Sequence, residues 1–215
     1  MGPDIARTVG LILIAYLAGS IPVGSIVAQR VGGPDLRSIG SGRTGGTNAL
    51  RALGRKWAAL VVIGDLLKGA LPVLLARIVT GDPLVEVLCG GAAVAGAIWS
   101  VFVGFRSGRG VGTGVGTMLV IQPIAVLLAT PVFVVAILLT RDVSLGSLLG
   151  SAAMIPAMLL VLLLVPATPL PYVIYTAVGT ALIWLAHADN IDRLLHGTER
   201  KFDLELLAGK RSSGG

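Results

Sequence analysis

The stretch PIAVLLATPVFVVAILLT, residues 123–140, carries no charged side chain. A run of this length and hydrophobicity can cross the hydrocarbon core of a bilayer as a helix. The rest of the 215-residue chain is similar, since 54% of its residues are hydrophobic and 13% are charged, against about 25% in a typical soluble domain. Because helices satisfy their own backbone hydrogen bonds in lipid, the composition predicts an all-α, polytopic integral membrane protein.

Seven apolar segments are predicted, within a single membrane-embedded domain that covers residues 1–215. We place them at 9–29, 56–79, 85–103, 112–121, 123–140, 146–165 and 170–187. The segment 112–121 is too short to cross the bilayer at about 1.5 Å per residue, so we expect a short half-membrane helix that ends before Pro123. The first segment is interpreted as a retained span, because no small-residue cleavage site followed by a soluble domain comes after it.

The basic residues predict the orientation of these spans. With seven segments and an external N-terminus, the loops 30–56, 104–111 and 141–145 and the C-terminal tail face the cytoplasm. These parts hold most of the lysines and arginines, as the positive-inside rule requires, and this pattern explains the net charge of +6 better than nucleic-acid binding does. Three polar stretches then meet on one face, and we expect active-site loops at 31–55, 104–112 and 187–205.

The first polar stretch is GSGRTGGTNALR, residues 40–51. Its glycines permit positive φ angles, and successive backbone N–H groups can form a concave cradle for an anion. Hydroxyl, amide and guanidinium groups add donors for phosphate. The predicted phosphate-binding residues are Gly40, Ser41, Gly42, Arg43, Thr47, Asn48 and Arg51. The alternative interpretation is a flexible loop with helix caps and arginines placed by membrane topology.

The second stretch, RSGRGVGTGVG at residues 106–116, has the same character. Arginines flank glycines that lead into the predicted short helix, and Arg109 lies between two of these glycines, so its guanidinium group is free to reach an anion. The predicted contacts are Arg106, Gly108, Arg109, Gly110 and Thr113. The alternative is a cytoplasmic turn with small residues for helix packing. Neither loop contains GxxxxGK[ST], so the sequence does not support nucleotide hydrolysis by a P-loop.

The third stretch is HADNIDRLLHGTERK, residues 187–201. His187, Asn190 and Arg193 are three residues apart, so a helix would place them on one face. We count Arg193 and Glu199 among the predicted substrate contacts. Glu199 either pairs with a basic loop or is a solvated charge, and His196 is interpreted as a solvated tail residue. Two histidines without an organised carboxylate cluster predict no metal site.

Polar side chains also occur within or at the start of predicted spans. Asp65 and Lys68 lie in the second span, three residues apart, and either form an internal ion pair or bring the lysine to a substrate. Ser144 and Ser147 open the sixth span, as helix caps, interhelical hydrogen bonders or ligands.

Six motifs in register resemble the bacterial PlsY type of acyl-phosphate:glycerol-3-phosphate acyltransferase. Their order and spacing match over residues 17–201. They are GSIPVG (19–24), GSGRTGGTNALR (40–51), DLLKG (65–69), GAIWSVFVGFRSGRGVGT (96–113), VSLGS (143–147) and HADNIDRLLHGTERK (187–201). The resemblance implies seven spans in a bacterial inner membrane, with the N-terminus outside and the active site facing the cytoplasm.

The resemblance also implies an activity. Such an enzyme transfers a fatty acyl group from acyl phosphate to the sn-1 hydroxyl of glycerol 3-phosphate, giving lysophosphatidic acid and phosphate, the first acylation of phospholipid synthesis. It uses no cofactor, and its partners would be the two substrates, the bilayer and a peripheral enzyme that makes acyl phosphate. The roles carried over are phosphate clamping by Ser41, Arg51 and Arg109, completion of the pocket by Thr47, Asn48 and Lys68, and orientation of the glycerol phosphate hydroxyls by His187 and Asn190.

The chain departs from the family pattern at four positions. Ala97 replaces a histidine, Ser107 a glycine, Arg109 a lysine, and Arg43 an asparagine. Alanine cannot donate, accept or titrate, and arginine is a planar fork where lysine is a point charge. The alternative to an active acyltransferase is therefore a weak or inactive paralogue that binds phosphorylated lipid precursors. A small anion transporter is disfavoured, because the sequence shows no inverted repeat.

Overall fold

The computed structural model describes residues 4–203, and all regular secondary structure in this range is helical. The helices are α1 (Ile5–Ser20), α2 (Val23–Arg30), α3 (Gly46–Leu53), α4 (Arg55–Thr80), α5 (Pro83–Ile98), α6 (Val111–Ile121), α7 (Pro123–Thr140), α8 (Val143–Leu164), α9 (Leu170–Ala186) and α10 (Ala188–Leu195), with a 3₁₀ turn at Val101–Val103. The predicted all-α class is confirmed. The end of the predicted loop 187–205 and the basic tail beyond it lie outside the described residues.

Four of these helices are long and apolar enough to cross a membrane, and up to six spans result within residues 4–203 if each sharply bent pair counts as one. The prediction of seven spans included α6, which has only 11 residues and ends immediately before the break at Gln122 and Pro123. It is the short helix expected there. Large apolar side chains on the outer surface support membrane embedding, since Leu127, Leu139 and Leu163 are 70%, 79% and 77% exposed.

The segment of the first predicted span, 9–29, is not one continuous helix. It is divided into α1 and α2, which bend by 42° at Ile21 and Pro22, because proline has no N–H to continue the helix. The carbonyl groups at the break find other partners inside the protein. Ser100 Oγ donates to the Ser20 carbonyl at 2.5 Å, and Lys68 Nζ donates to the Ile21 carbonyl at 3.2 Å. The backbone carbonyl groups at the break are therefore hydrogen-bonded within the protein, which is required where no water is present.

Close backbone contact places α6 against α4. A Cβ atom at Gly69 would lie 2.1 Å from the Thr113 carbonyl oxygen, and one at Gly116 would lie 2.0 Å from that of Leu66. Only glycine fits at these positions, as is typical of helix pairs in membranes. The contact brings the start of α6, with Thr113, beside the middle of α4, where Lys68 lies.

The opposite end of α4 is tied to α5 and α9 by a buried carboxylate. Glu86 is 2% exposed, and its Oε2 accepts hydrogen bonds from Arg77 Nη2 at 2.7 Å and from the Tyr172 hydroxyl at 2.8 Å. A buried charge needs such partners, because its hydration is lost. The three bonded helices fix the end of the molecule farthest from the polar stretches.

Candidate active site

The three polar stretches meet at one end of the helices. The hydroxyl groups of Thr44 and Ser107 lie 3.0 Å apart and join the first stretch to the loop before α6. Arg109 Nη2 donates to Asp189 Oδ2 at 2.9 Å and joins that loop to α10. The predicted convergence of the three stretches is therefore present in the fold.

A cavity of about 500 Å³ opens among these segments and continues between α6, α7, α8 and α9. Most of the residues predicted from the sequence line it. They are Ser41, Arg43, Thr47, Asn48, Arg51, Lys68, Gly108, Arg109, Gly110, Thr113, Ser144, Ser147, His187, Asn190 and Glu199. A single compartment therefore contains residues from all three stretches and from two spans.

Four predicted contacts do not line this cavity: Gly40, Gly42, Arg106 and Arg193. Arg106 is exposed, because the turn that buries Ser107 directs its neighbour outward. Gly40 and Gly42 have positive φ angles of 56° and 66°, so they set the backbone turn of the first loop outside the cavity lining. For these residues direct phosphate contact stays a prediction that the cavity lining does not support.

Asn48 has a different role from the one predicted, although it lines the cavity. Its Nδ2 donates to the carbonyl oxygens of Leu36, Ile39 and Arg43 at 2.8, 3.2 and 2.9 Å. Its Oδ1 accepts from the Ser41 N–H at 3.2 Å, and the residue is 2% exposed. The N–H donors of the Asn48 side chain are therefore already bonded to backbone carbonyl groups. Asn48 therefore shapes the first loop and positions Ser41 and Arg43.

Asp189 is a counter-ion of the arginines at the mouth that the sequence did not single out. Its carboxylate lies 2.9 Å from Arg109 Nη2, 3.3 Å from Arg193 Nη2 and 4.0 Å from Arg43 Nη2. Burial raises the pKa of this carboxyl, but the three guanidinium groups outweigh burial, so the pKa lies below its ordinary value. The carboxylate holds three cations from all three stretches together. The spacing to Arg193, four residues along a helix, was the signal that could have indicated an ion pair.

Glu199 is paired within its own segment and not with a basic loop. Its Oε1 accepts from Asn190 Nδ2 at 2.8 Å and its Oε2 accepts from Arg193 Nε at 3.0 Å. Asn190 and Arg193 reach the same carboxylate, so they share one face of α10 as predicted. His196, in contrast, is an exposed residue that contacts Asp192, one turn earlier.

The end of the described chain closes one side of the cavity. Phe202 is 6% exposed, and its N–H donates to the Arg141 carbonyl at 2.6 Å. Lys201 Nζ donates to Asp142 Oδ2 at 2.9 Å. These bonds hold the segment after α10 against the α7–α8 turn and bring Arg200 to the cavity lining. No sequence signal indicated this contact.

Four buried polar atoms at this end of the cavity have no hydrogen-bond partner within residues 4–203. They are Arg109 Nε, Thr113 Oγ1, Ser144 Oγ and Asn190 Oδ1. Unpaired buried polar atoms are costly, and native proteins rarely keep them without a reason. Their position in the lining of one cavity indicates a polar ligand at its mouth.

The charge of the mouth favours an anion. Arg43, Arg51, Arg109 and Arg200 all line the cavity, and together with Arg193 they outnumber the carboxylates paired with them, those of Asp189 and Glu199. Across residues 4–203, no group of three or more His, Cys, Asp or Glu side chains is placed to hold a metal ion.

Lys68 combines the two interpretations left open by the sequence. Its Nζ lies 2.8 Å from Asp65 Oδ1, so the predicted ion pair within α4 exists. Both side chains also line the cavity. The ammonium group therefore stabilises the break after α1 through the Ile21 carbonyl, and Asp65 balances its charge at the cavity wall.

His187, immediately after α9, is 2% exposed and has a defined tautomer. Its Nδ1 lies 2.7 Å from the Ile183 carbonyl oxygen, which can only accept, so Nδ1 carries the proton and Nε2 is an acceptor. Burial lowers the pKa of the imidazole to about 4, and nearby Arg109 also lowers it, although the bond to Ile183 opposes the shift. His187 is therefore neutral at physiological pH.

This pKa predicts a pH dependence of stability. Between the ordinary value of 6.5 and about 4, the unfolded chain binds more protons at His187 than the folded chain does, so stability falls as the pH falls through this window. The full shift corresponds to about 3 kcal/mol. Thermal unfolding from pH 7.5 to 4.5 in detergent should show a steeper loss for the unsubstituted protein than for His187→Gln, which cannot titrate. Parallel curves would contradict a buried neutral imidazole.

Two departures from the family pattern are accommodated locally. Ser107 is 1% exposed and uses its hydroxyl to bond Thr44, so the added side chain joins two loops. Ala97 is 2% exposed, and its carbonyl accepts from the Gly108 N–H at 3.0 Å. The loop before α6 is therefore anchored through the backbone of position 97, without a side chain.

A family model described as glycerol-3-phosphate acyltransferase matches residues 9–197. The chain belongs to the glycerol-3-phosphate acyltransferase family. Among curated members, glycerol-3-phosphate acyltransferase 3 of Dehalococcoides mccartyi (strain CBDB1) is 42% identical over 211 residues, covering 93% of this chain and 97% of the relative. The glycerol-3-phosphate acyltransferase of Rubrobacter xylanophilus is 42% identical over 205 residues, covering 95% and 97%.

Solved acyltransferase structures share the fold. The crystal structure of PlsY (YgiH), an integral membrane glycerol 3-phosphate acyltransferase, in its glycerol 3-phosphate form has a TM-score of 0.84 and 36% identity, covering 95% of this chain and 100% of that one. The lysophosphatidic acid form of the same enzyme gives 0.82 and 37%, covering 94% and 99%. The resemblance stated from the motifs is confirmed, and the chain is an integral membrane member of the acyltransferase family.

Proposed function

We propose that this protein transfers a fatty acyl group from acyl phosphate to the sn-1 hydroxyl of glycerol 3-phosphate, releasing lysophosphatidic acid and inorganic phosphate. The observation that carries the proposal is a single cavity with arginines at its mouth and apolar side chains deeper between the helices. Both substrates carry phosphate, and one also carries a hydrocarbon chain. Family membership, with relatives named glycerol-3-phosphate acyltransferase, supports acyl transfer to glycerol 3-phosphate.

The polar mouth supplies groups of two kinds. Ser41, Arg51 and Arg109 clamp phosphate, and Thr47 and Lys68 complete the pocket. Arg109 Nε, which is buried and unpaired, is available to a phosphate oxygen while Nη2 remains bonded to Asp189. Charge-assisted bonds of this kind are the strong ones in phosphate recognition.

The acceptor substrate is oriented by His187 and Asn190. His187 Nε2 and Asn190 Oδ1 are both acceptors, which matches the hydroxyl donors of a glycerol backbone. The low pKa of His187 makes the imidazole a poor base at neutral pH, so its role is to align a hydroxyl group.

The transfer itself requires no protein nucleophile, because acyl phosphate is a mixed anhydride. The sn-1 oxygen attacks the acyl carbonyl carbon and forms the ester C–O bond. The C–O bond to phosphate then breaks, and the phosphate leaves with the bonding electron pair. A phosphate oxygen of the substrates takes the proton of the hydroxyl group. Catalysis then rests on positioning and on stabilising negative charge by the arginines.

The proposed location is the cytoplasmic leaflet of a bacterial inner membrane. The arginine-rich mouth at one end of the helices supports this orientation through the positive-inside rule. A peripheral enzyme that forms acyl phosphate would deliver the donor at this face.

The decisive test is phosphate release by purified protein in lipid nanodiscs. We expect palmitoyl phosphate to be converted only when glycerol 3-phosphate is present, with one lysophosphatidic acid formed for each phosphate released. Donor hydrolysis independent of glycerol 3-phosphate, or no turnover by folded protein, would contradict the proposal. The second result would favour an inactive paralogue.

A further inference from the structure

The cavity changes character below its mouth. Its deeper wall contains several hydroxyl groups, but these are satisfied by backbone carbonyls. Thr130 Oγ1 donates to the Val126 carbonyl at 2.7 Å, and Thr180 Oγ1 donates to the Ser151 carbonyl at 2.9 Å. The remaining bonds are Ser147 to Val143, Ser151 to Leu148 and Thr176 to Tyr172, at 2.8, 3.0 and 2.9 Å. This part of the wall therefore presents carbon atoms to its occupant.

The lining stops part-way along each of the four surrounding helices. The deepest lining residues are Met118 on α6, Val126 on α7, Met154 on α8 and Tyr175 on α9. The next buried residues, which include Ile121, Ala125, Met158 and Tyr172, belong to a packed hydrophobic core and not to the cavity lining. The Tyr175 hydroxyl lies 2.7 Å from Thr117 Oγ1, which ties α9 to α6 at this level. The cavity therefore has a closed floor.

The depth of this compartment follows from helix geometry. Tyr175 precedes His187 by twelve residues, which at about 1.5 Å per residue corresponds to about 18 Å. A carbon–carbon bond of about 1.5 Å at an angle of about 111° advances an extended chain by about 1.25 Å. About 14 methylene groups therefore fit between the level of His187 and the floor.

Gly179 leaves the compartment open at about two thirds of this depth. It lines the cavity, and a Cβ atom built on it would meet only Tyr175 Cζ, at 4.0 Å. It precedes His187 by eight residues, or about 12 Å, which corresponds to a chain of about 10 carbons. A larger side chain at this position would meet the occupant of the cavity before it met the protein.

We infer that the apolar part of the cavity sets the chain length of the acyl donor, with Tyr175 and Met154 forming its floor and Gly179 keeping it open. This inference rests on the proposed acyl transfer. It commits to one occupant, a saturated acyl chain of about 14 to 16 carbons, since the hydroxyl groups of the deeper wall are bonded to backbone carbonyls and the mouth is polar.

The test measures the rate with donors of 8, 10, 12, 16 and 20 carbons for the unsubstituted protein and for variants at positions 91, 154 and 179. In Gly179→Leu, we expect the rate with palmitoyl phosphate to fall at least tenfold relative to the unsubstituted protein, and the rate with octanoyl phosphate to stay within threefold. In Met154→Ala, a deeper floor should raise the relative rate with the 20-carbon donor. The ratio of variant to unsubstituted rate at each length cancels differences in donor solubility.

Gly91→Leu is the matched control. A Cβ at Gly91 also meets no atom within 4 Å, but Gly91 does not line the cavity, so the same substitution should leave the profile unchanged. Equal losses at all lengths in folded Gly179→Leu, or an unchanged profile, would overturn the inference. If that variant does not fold, Gly179→Ala must still lower the ratio for 16 carbons to that for 8 carbons. Failure of the unsubstituted protein with every donor would instead refute the proposed function.

Discussion

Replacing Arg109 by alanine is expected to lower kcat/KM for glycerol 3-phosphate by about 100-fold to 1,000-fold, the usual effect of removing one preorganised donor to a developing charge. The side chain of Arg109 is 14% exposed, and its unpaired Nε lies in the cavity lining. The measurement is the initial rate of phosphate release over a range of glycerol 3-phosphate concentrations.

Arg106→Ala is the matched control for this prediction. It removes an equal charge three residues earlier, from an exposed side chain outside the cavity, and should change kcat/KM by less than about threefold. Arg109→Lys, which restores the residue of the family pattern, should recover most of the activity, since it keeps the charge but not the planar fork. Equal losses for the alanine variants at 106 and 109 would show that bulk charge, and not the position of Arg109, is what matters.

Asn48→Asp is expected to lower kcat/KM by about 100-fold and to lower the thermal stability at the same time. The carboxylate has the same shape as the amide but cannot donate to the carbonyl oxygens of Leu36, Ile39 and Arg43. Each buried group left unsatisfied costs about 1–3 kcal/mol. The first loop should therefore lose its shape, and Ser41 and Arg43 their positions. Phosphate release and thermal unfolding of the same preparation are the two measurements.

The comparison of those two measurements separates the possible roles of Asn48. A direct phosphate ligand would raise KM without lowering Tm, whereas a positioning residue changes both kcat/KM and Tm. Gln29→Glu makes the same chemical change on an exposed side chain of α2 and should leave both unchanged. A normal Tm for Asn48→Asp would contradict the structural role assigned to it.

The sequence predicted those features of the cavity mouth that depend on residues close together in the chain. Glycines beside arginines, or a histidine and an asparagine three residues apart, can be identified within a few residues of sequence. The four-residue spacing to Arg193 was a local signal for Asp189, but the sequence could not show that this carboxylate would also meet arginines of the other two stretches. The sequence also could not show that the side chain of Asn48 donates its hydrogen bonds to the backbone. The carbonyl groups of Leu36, Ile39 and Arg43 come close to it only when the loop has folded.

The sequence by itself determined the membrane class, most helix bounds and the short helix before Pro123, because hydrophobic length and proline act through the local backbone. The tertiary structure decided which groups meet. Thr44 and Ser107 are 63 residues apart in the chain, and Arg109 and Asp189 are 80 apart, yet each pair is in contact. These contacts depend on the close glycine packing between α4 and α6 and on the break in the first span. Both features arise from packing between distant segments, and the pattern of residues along one segment does not predict such packing.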